Sequence, residues 1–136
     1  NRLQGILLTH FHSDHIAEIY EVNLNSWVQG RPEPLMIYGP QGVDEVVDGI
    51  KQATAKTKYT GPSIMVTLIA PTRGVIEHQV IRAGEVLADG HLTITAYVAE
   101  HPPIHLAVGF RFDYRGRSVV ISGDSNVTAE TAKISN

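Results

Sequence analysis

Gly5-Ile6-Leu7-Leu8-Thr9-His10-Phe11-His12-Ser13-Asp14-His15 places three imidazoles and a carboxylate within six positions, directly after an apolar run. Neutral imidazole and carboxylate are standard ligands for zinc and similar divalent ions. In an extended stretch leaving a strand, residues two apart point the same way, so His10 and His12 can grip one ion. Asp14 either points with them or turns onward, and His15 opens the next element. A surface histidine patch belongs at a terminus or in a low-complexity tract, whereas this string sits at a strand-to-helix junction. The stretch therefore predicts a metal site built on the end of a buried strand.

Two later segments agree with it: Glu100-His101-Pro102-Pro103 after a strand-like run, and Gly116 to Ser125, which ends in Ser122-Gly123-Asp124-Ser125. Together with H-x-H-x-D-H at His10 to His15, they resemble the metallo-β-lactamase superfamily, whose members are mostly metal-dependent hydrolases. The wording from Ala107 to Ser125 is most similar to the ribonuclease Z and arylsulfatase-like branch. The resemblance covers nearly the whole chain. It implies an αββα sandwich, in which two sheets pack face to face with helices outside and metals at one edge.

The same resemblance implies a division of ligands. His10, His12 and His101 would hold a first metal, Asp14 and His15 a second, and Asp124 would bridge both. Asp14 could also orient the attacking hydroxide or pass on its proton, which makes it the candidate catalytic residue. Zinc is the expected ion, as one or two Zn2+, with Mn2+ or Fe as alternatives. Two ions sharing a hydroxide generate a nucleophile at neutral pH and stabilise charge on the attacked group. The expected reaction is hydrolysis of a phosphate or sulfate ester, in a small molecule or a nucleic acid. Carboxyl-type substrates such as lactones, thioesters and β-lactams are the alternative within the superfamily. A metal-binding but catalytically incompetent fragment is the alternative outside it.

Composition sets bounds. The 136 residues suffice for one domain with its own core, and the 43% hydrophobic and 18% charged content is that of a globular protein. With 11 basic against 14 acidic residues, the net charge of −3 argues against a generally basic nucleic-acid surface. The absence of cysteine excludes disulfides and thiolate zinc sites. No apolar stretch approaches a membrane span.

The resemblance also implies strands ahead of the first motif and a further ligand histidine after the third. On that reading the chain is a single incomplete domain, 1–136, truncated at both ends, whose exposed first strand promotes self-association.

Along the chain the pattern is mixed α/β, with strands outnumbering helices. Arg2 to Thr9 reads as an inner strand, apolar on both faces. A helix is expected from His15, with Ile16, Ile19, Tyr20 and Leu24 at helical spacing and Trp27 extending the face, ending at Gly30 to Pro34. Leu35 to Tyr38 reads as a short strand. A second helix carries Val43, Val46, Val47 and Ile50 and fades near Thr57, before a turn-rich loop from Tyr59 to Ser63. Ile64 to Ile69 and Val75 to Ile81 are strand candidates, and Ala88-Asp89-Gly90 signals a hairpin into Leu92 to Val98. Leu106 to Tyr114 and Ser118 to Ile121 complete the strands, and Val127 to Ile134 is helix-like.

Other polar residues carry weaker signals. His105 is expected to face substrate space or solvent, and His78 and His91 to be surface residues. Ser13, Ser122 and Ser125 lack a nucleophile-elbow context and read equally as donors near the carboxylates or as turn formers. Gly39-Pro40-Gln41-Gly42 lacks the P-loop lysine and reads as a turn plus helix start.

Overall fold

The computed structural model describes residues 3–55 and 74–135. The elements in chain order are β1 (Gly5–Leu7), α1 (Ser13–Ile16), α2 (Ile19–Val28), β2 (Leu35–Gly39), α3 (Val43–Thr54), β3 (Ile76–Val80), β4 (Val86–Asp89), β5 (Leu92–Val98), β6 (Val108–Tyr114), β7 (Arg117–Ile121) and α4 (Ala129–Ile134). The expected loop at 59–63, the strand at 64–69 and the fading of α3 near Thr57 lie outside the described residues.

Two sheets form. β1, β2 and β3 make a parallel sheet in that order, and β4 to β7 make an antiparallel one. Parallel pairing needs crossovers, which α1 and α2 supply between β1 and β2, and α3 begins between β2 and β3. β2 shows how one strand serves two cores. Leu35 and Ile37 are fully buried and pack with Val43 and Val47 of α3, Ile19 of α2 and Leu8. Tyr38 points the other way and joins Leu7, Ala96, Val108 and Phe110 between the sheets. On the far face of the antiparallel sheet, Arg111 of β6 donates to the carbonyl of Ile134 in α4. The layers therefore run helix, sheet, sheet, helix, as the resemblance implies.

Local chemistry accounts for several element ends. α3 has Asp44 and Glu45 in its first turn and Lys51 in its last, matching the helix dipole. Thr128 caps α4, its Oγ1 accepting from the Thr131 backbone N–H at 3.0 Å. The β6–β7 hairpin closes on Arg115 (φ +48°) and Gly116 (φ +76°), the paired positive angles of a type I′ turn.

Three expectations need correction. The first strand is only Gly5–Leu7, half-buried, and pairs with β2 alone among the described residues. It ends early because the chain then crosses between sheets: Leu8 N–H donates to the Tyr38 carbonyl, whereas the Thr9 carbonyl accepts from Val108 N–H in β6. The single helix expected from His15 is two helices, starting at Ser13 and separated at Ala17 and Glu18. Finally, the buried face of α2 is Ile19, Asn23 and Ser26, not the apolar stripe through Tyr20 and Leu24.

The cause is Arg31, which is 1% exposed. Its Nε donates to Ser26 Oγ at 3.0 Å, one terminal nitrogen to Asn23 Oδ1 at 2.6 Å, and the other to the Glu33 carbonyl. Burial lowers its pKa. Neutral acceptors satisfy the cation, so helical positions that face it must be polar. Asn23→Leu is expected to destabilise the protein by about 2–3 kcal/mol, because it strips a hydrogen bond from a buried charge. Adding Arg31→Met should recover part of the loss by removing that charge. Urea titration of both single variants and the double variant checks this, and a double variant as unstable as the sum of its singles would refute it.

Candidate metal centre

The strand ends deliver the ligands. His10 follows β1, His101 follows β5, and Asp124 follows β7. His12 is the extended residue ahead of α1 (φ −61°, ψ 147°), so it stays aligned with His10. The helix begins at Ser13, which resolves the two readings of Asp14: it turns onward, with His15, onto α1.

His10, His12, His101 and Asp124 each present a ligand atom within 4.8 Å of the others. The His10 ring lies 4.2 to 4.8 Å, centre to centre, from the rings of His15, His12 and His101. His101 Nε2 and His12 Nδ1 are 3.3 Å apart. A tetrahedral ion with Zn–N bonds of roughly 2.0–2.1 Å sets its donors about 3.3 Å from one another. Next to this group, His15 Nε2 is 3.4 Å from Asp124 Oδ1 and 3.5 Å from Asp14 Oδ2. Asp124 thus touches both groups. Asp14 is exposed and stands outside the four-donor group, in contact with it through His15.

His10 supplies the test of whether these residues fit a cation. It is 1% exposed, its Nδ1 pairs with Thr9 Oγ1 at 3.1 Å, and its Nε2 is buried without a hydrogen-bond partner. A buried acceptor with no donor is costly, and a cation among these four groups removes the cost. Burial first, and then His15, His12 and His101, hold the His10 pKa below the usual imidazole value, while Asp124 pulls it up. The ring is therefore neutral, the state that can ligate.

The sign of the pH dependence can be worked out from this shift. An unfolded histidine protonates near pH 6.5, and folded His10 resists until lower pH, so its contribution is complete above that range and is lost as the pH falls. Protein stripped of metal by a chelator is expected to melt at progressively lower temperature from about pH 7.5 to about pH 5.5. A melting temperature constant across the window would contradict a buried neutral His10.

The weaker candidates fall outside the donor group, and the serines follow the turn-forming reading. Ser125 Oγ accepts from the Glu100 backbone N–H at 3.1 Å and donates to the Asn126 carbonyl, so it laces the His101 loop to the Asp124 loop without serving a carboxylate. Asn126 N–H donates to the Glu100 carbonyl at 2.8 Å and reinforces that lacing. Ser122 Oγ donates to the Gly123 carbonyl. Among the described residues Ser13 makes no such bond either. His105 is exposed and outside the donor group, and His78 and His91 are exposed, as expected. Pro40 to Gly42 form the turn into α3, with Val43 N–H bonded to the Pro40 carbonyl.

Two contributors escaped sequence reading. Thr9 orients His10, and a hydroxyl directly preceding a ligand histidine was the available signal. Gly123 (φ +61°) passes so close to Thr9 that a Cβ there would lie 2.7 Å from its Cβ and Oγ1. Nothing local in the sequence reveals that approach.

Comparison with known proteins bears on the family and the fold. Residues 1–135 match the Beta-lactamase superfamily domain. The chain is 37% identical over 126 residues to ribonuclease Z of Mycobacterium bovis (strain BCG / Pasteur 1173P2), covering 90% of this chain and 44% of the relative. It is 35% identical over 126 residues to ribonuclease Z of Mycobacterium marinum (strain ATCC BAA-535 / M), with the same coverage. The chain thus spans less than half the length of these curated relatives. Among solved structures, the metallo-beta-lactamase fold protein YhfI from Bacillus subtilis superposes with a TM-score of 0.65 at 23% identity, over 97% of this chain and 45% of that one. CmlA, a diiron beta-hydroxylase from Streptomyces venezuelae, superposes with a TM-score of 0.55 at 20% identity, over 97% of this chain and 23% of that one. At these identities the two structures speak for the fold. Among the described residues no helix is long and apolar enough to cross a membrane.

Proposed function

Because this chain belongs to the beta-lactamase superfamily, we propose that the His10 cluster is the centre of a metal-dependent hydrolase acting on phosphate or sulfate esters. The observation that carries the reading is the buried, unpartnered Nε2 of His10 amid three other convergent donors. His10, His12 and His101 would hold the ion, with Asp124 supplying negative charge to it and reaching His15 on the neighbouring side. When bound, a zinc ion supplies Lewis acidity and brings the pKa of water into the neutral range.

The chain's own residues do the rest. Thr9 fixes the His10 ring through Nδ1, leaving Nε2 for the ion. Asp14, exposed at the first turn of α1, would accept a proton from an attacking water and release it to solvent. Its neighbour His15 links it to Asp124. The all-nitrogen-and-oxygen donor set suits zinc, and also accommodates Mn2+ or Fe. Nucleic-acid phosphodiesters are among the candidate substrates, a reading supported by the names of the ribonuclease Z relatives.

The test combines metal content and turnover. Elemental analysis is expected to find zinc in the wild-type protein and a large loss in His12→Ala, with hydrolysis of phosphodiester or sulfate-ester model substrates abolished by a chelator. Equal, near-stoichiometric zinc in both proteins would overturn the site. Full metal loading with no turnover of any ester would leave a metal-binding chain and overturn the activity.

A further inference from the structure

The four donors come as two pairs on different sheets. His10 and His12 leave β1 of the parallel sheet, whereas His101 and Asp124 leave β5 and β7 of the antiparallel one. The two strands of the second pair are not neighbours. β6 runs between them, which sets their axes roughly 9.5 Å apart. Strand pairing therefore cannot bring His101 to Asp124, yet their ligand atoms lie within 4.8 Å of each other. A contact beyond the ladder has to draw the two loops together.

The hydrogen bonds show where this happens. Past the end of β5, Ala99 N–H still donates to the Ala107 carbonyl, at 3.0 Å. One residue later the chain changes partner. Glu100 N–H donates to Ser125 Oγ at 3.1 Å, and the Glu100 carbonyl accepts from Asn126 N–H at 2.8 Å. Both backbone groups of the residue before His101 are thus held by the two residues after Asp124. A serine hydroxyl can accept and donate at once, and this one also donates to the Asn126 carbonyl at 2.9 Å. Backbone supplies one half of the grip, and a side chain supplies the other.

We propose that Ser125 is a positioning residue for the cation: its hydroxyl fixes the His101 loop against the Asp124 loop and makes those two donors one preassembled half of the site. The inference rests on the metal-binding reading of the cluster and adds to it a residue that touches no ion. The Glu100–Ser125 bond is exposed, so in Ser125→Ala water can take over the freed N–H and the fold loses little stability. Water does not restore the separation of the two loops. The effect therefore falls on where His101 stands relative to Asp124, which is what a cation senses.

Cobalt(II) tests this without turnover, because its visible absorption changes with the number and arrangement of its donors. The probe is Co2+ added to metal-free protein, with affinity read by chelator competition. Ser125→Ala is expected to weaken Co2+ binding by about tenfold or more and to shift the visible bands. Ser125→Thr keeps the hydroxyl and should restore both affinity and spectrum. Ser122→Ala is the control: Ser122 stands two residues before Asp124, but its hydroxyl donates to the neighbouring Gly123 carbonyl, so both readouts should match the wild type. Thermal melts of the metal-free proteins should nearly coincide. Wild-type affinity and spectrum in Ser125→Ala would overturn the proposal and leave the metal centre intact. So would weakened binding with an unchanged spectrum, a threonine variant no better than the alanine one, an equal loss in Ser122→Ala, or a metal-free Ser125→Ala protein that melts well below the others. Failure of the wild-type protein to bind Co2+ would overturn the metal-centre reading itself, and this inference with it.

Discussion

Asp124→Ala is expected to lower ester hydrolysis by about 100-fold or more, whereas His105→Ala should cost less than about tenfold. Substitutions of groups that only support metal ligands already cost about 10–100-fold, so a charged group in the donor set itself belongs at or beyond the top of that range. Asp124 is the sole carboxylate in the four-donor group and is also 3.4 Å from His15 Nε2. Its removal therefore takes negative charge from both sides of the proposed centre at once. His105 is four residues from His101 in sequence but stands outside the group and is exposed. Steady-state rates on phosphodiester and sulfate-ester substrates, with metal content measured on the same samples, decide the comparison. A larger loss at His105 would overturn the assignment of Asp124 to the reaction centre.

Gly123→Ala is expected to weaken metal binding by about 10–100-fold, an effect of the size seen when a ligand's support is disturbed. Two costs combine. An alanine at φ +61° occupies a left-handed conformation that costs roughly 1–2 kcal/mol. Its Cβ would also sit 2.7 Å from Thr9, so Thr9 must shift, and Thr9 orients His10. Gly90 provides the control: its φ is +58°, and a Cβ there meets nothing within 4 Å. Gly90→Ala should share the backbone strain and spare metal affinity. Competition titration with a chromogenic chelator, run beside thermal melts, separates the two effects. Similar metal affinities in Gly123→Ala and Gly90→Ala would show that the approach to Thr9 is unimportant.

Much of the protein was legible along the chain because its signals are local. Three histidines and an aspartate in six residues announce their chemistry wherever they fold. β2 and α3 were readable from the spacing of Leu35, Ile37, Val43 and Val47, since a buried face imposes the period of its own element. The β4–β5 hairpin was readable because a positive φ selects glycine at its turn, here Gly90. Even the membership of His101 and Asp124 was carried by short motifs at strand ends.

What the chain alone did not determine depends on contacts between distant segments. The polar face of α2 follows from Arg31, a charge whose burial no helical periodicity encodes. The premature end of β1 follows from Thr9 pairing with Val108, which lies 99 positions further on. The same crossing aligns Thr9 with Gly123 and sets the orientation of His10. Sequence specifies which groups can bind a cation. Only the packing of one sheet against the other decides that their lone pairs converge, because ligand geometry is a property of the space between strands and not of any one of them.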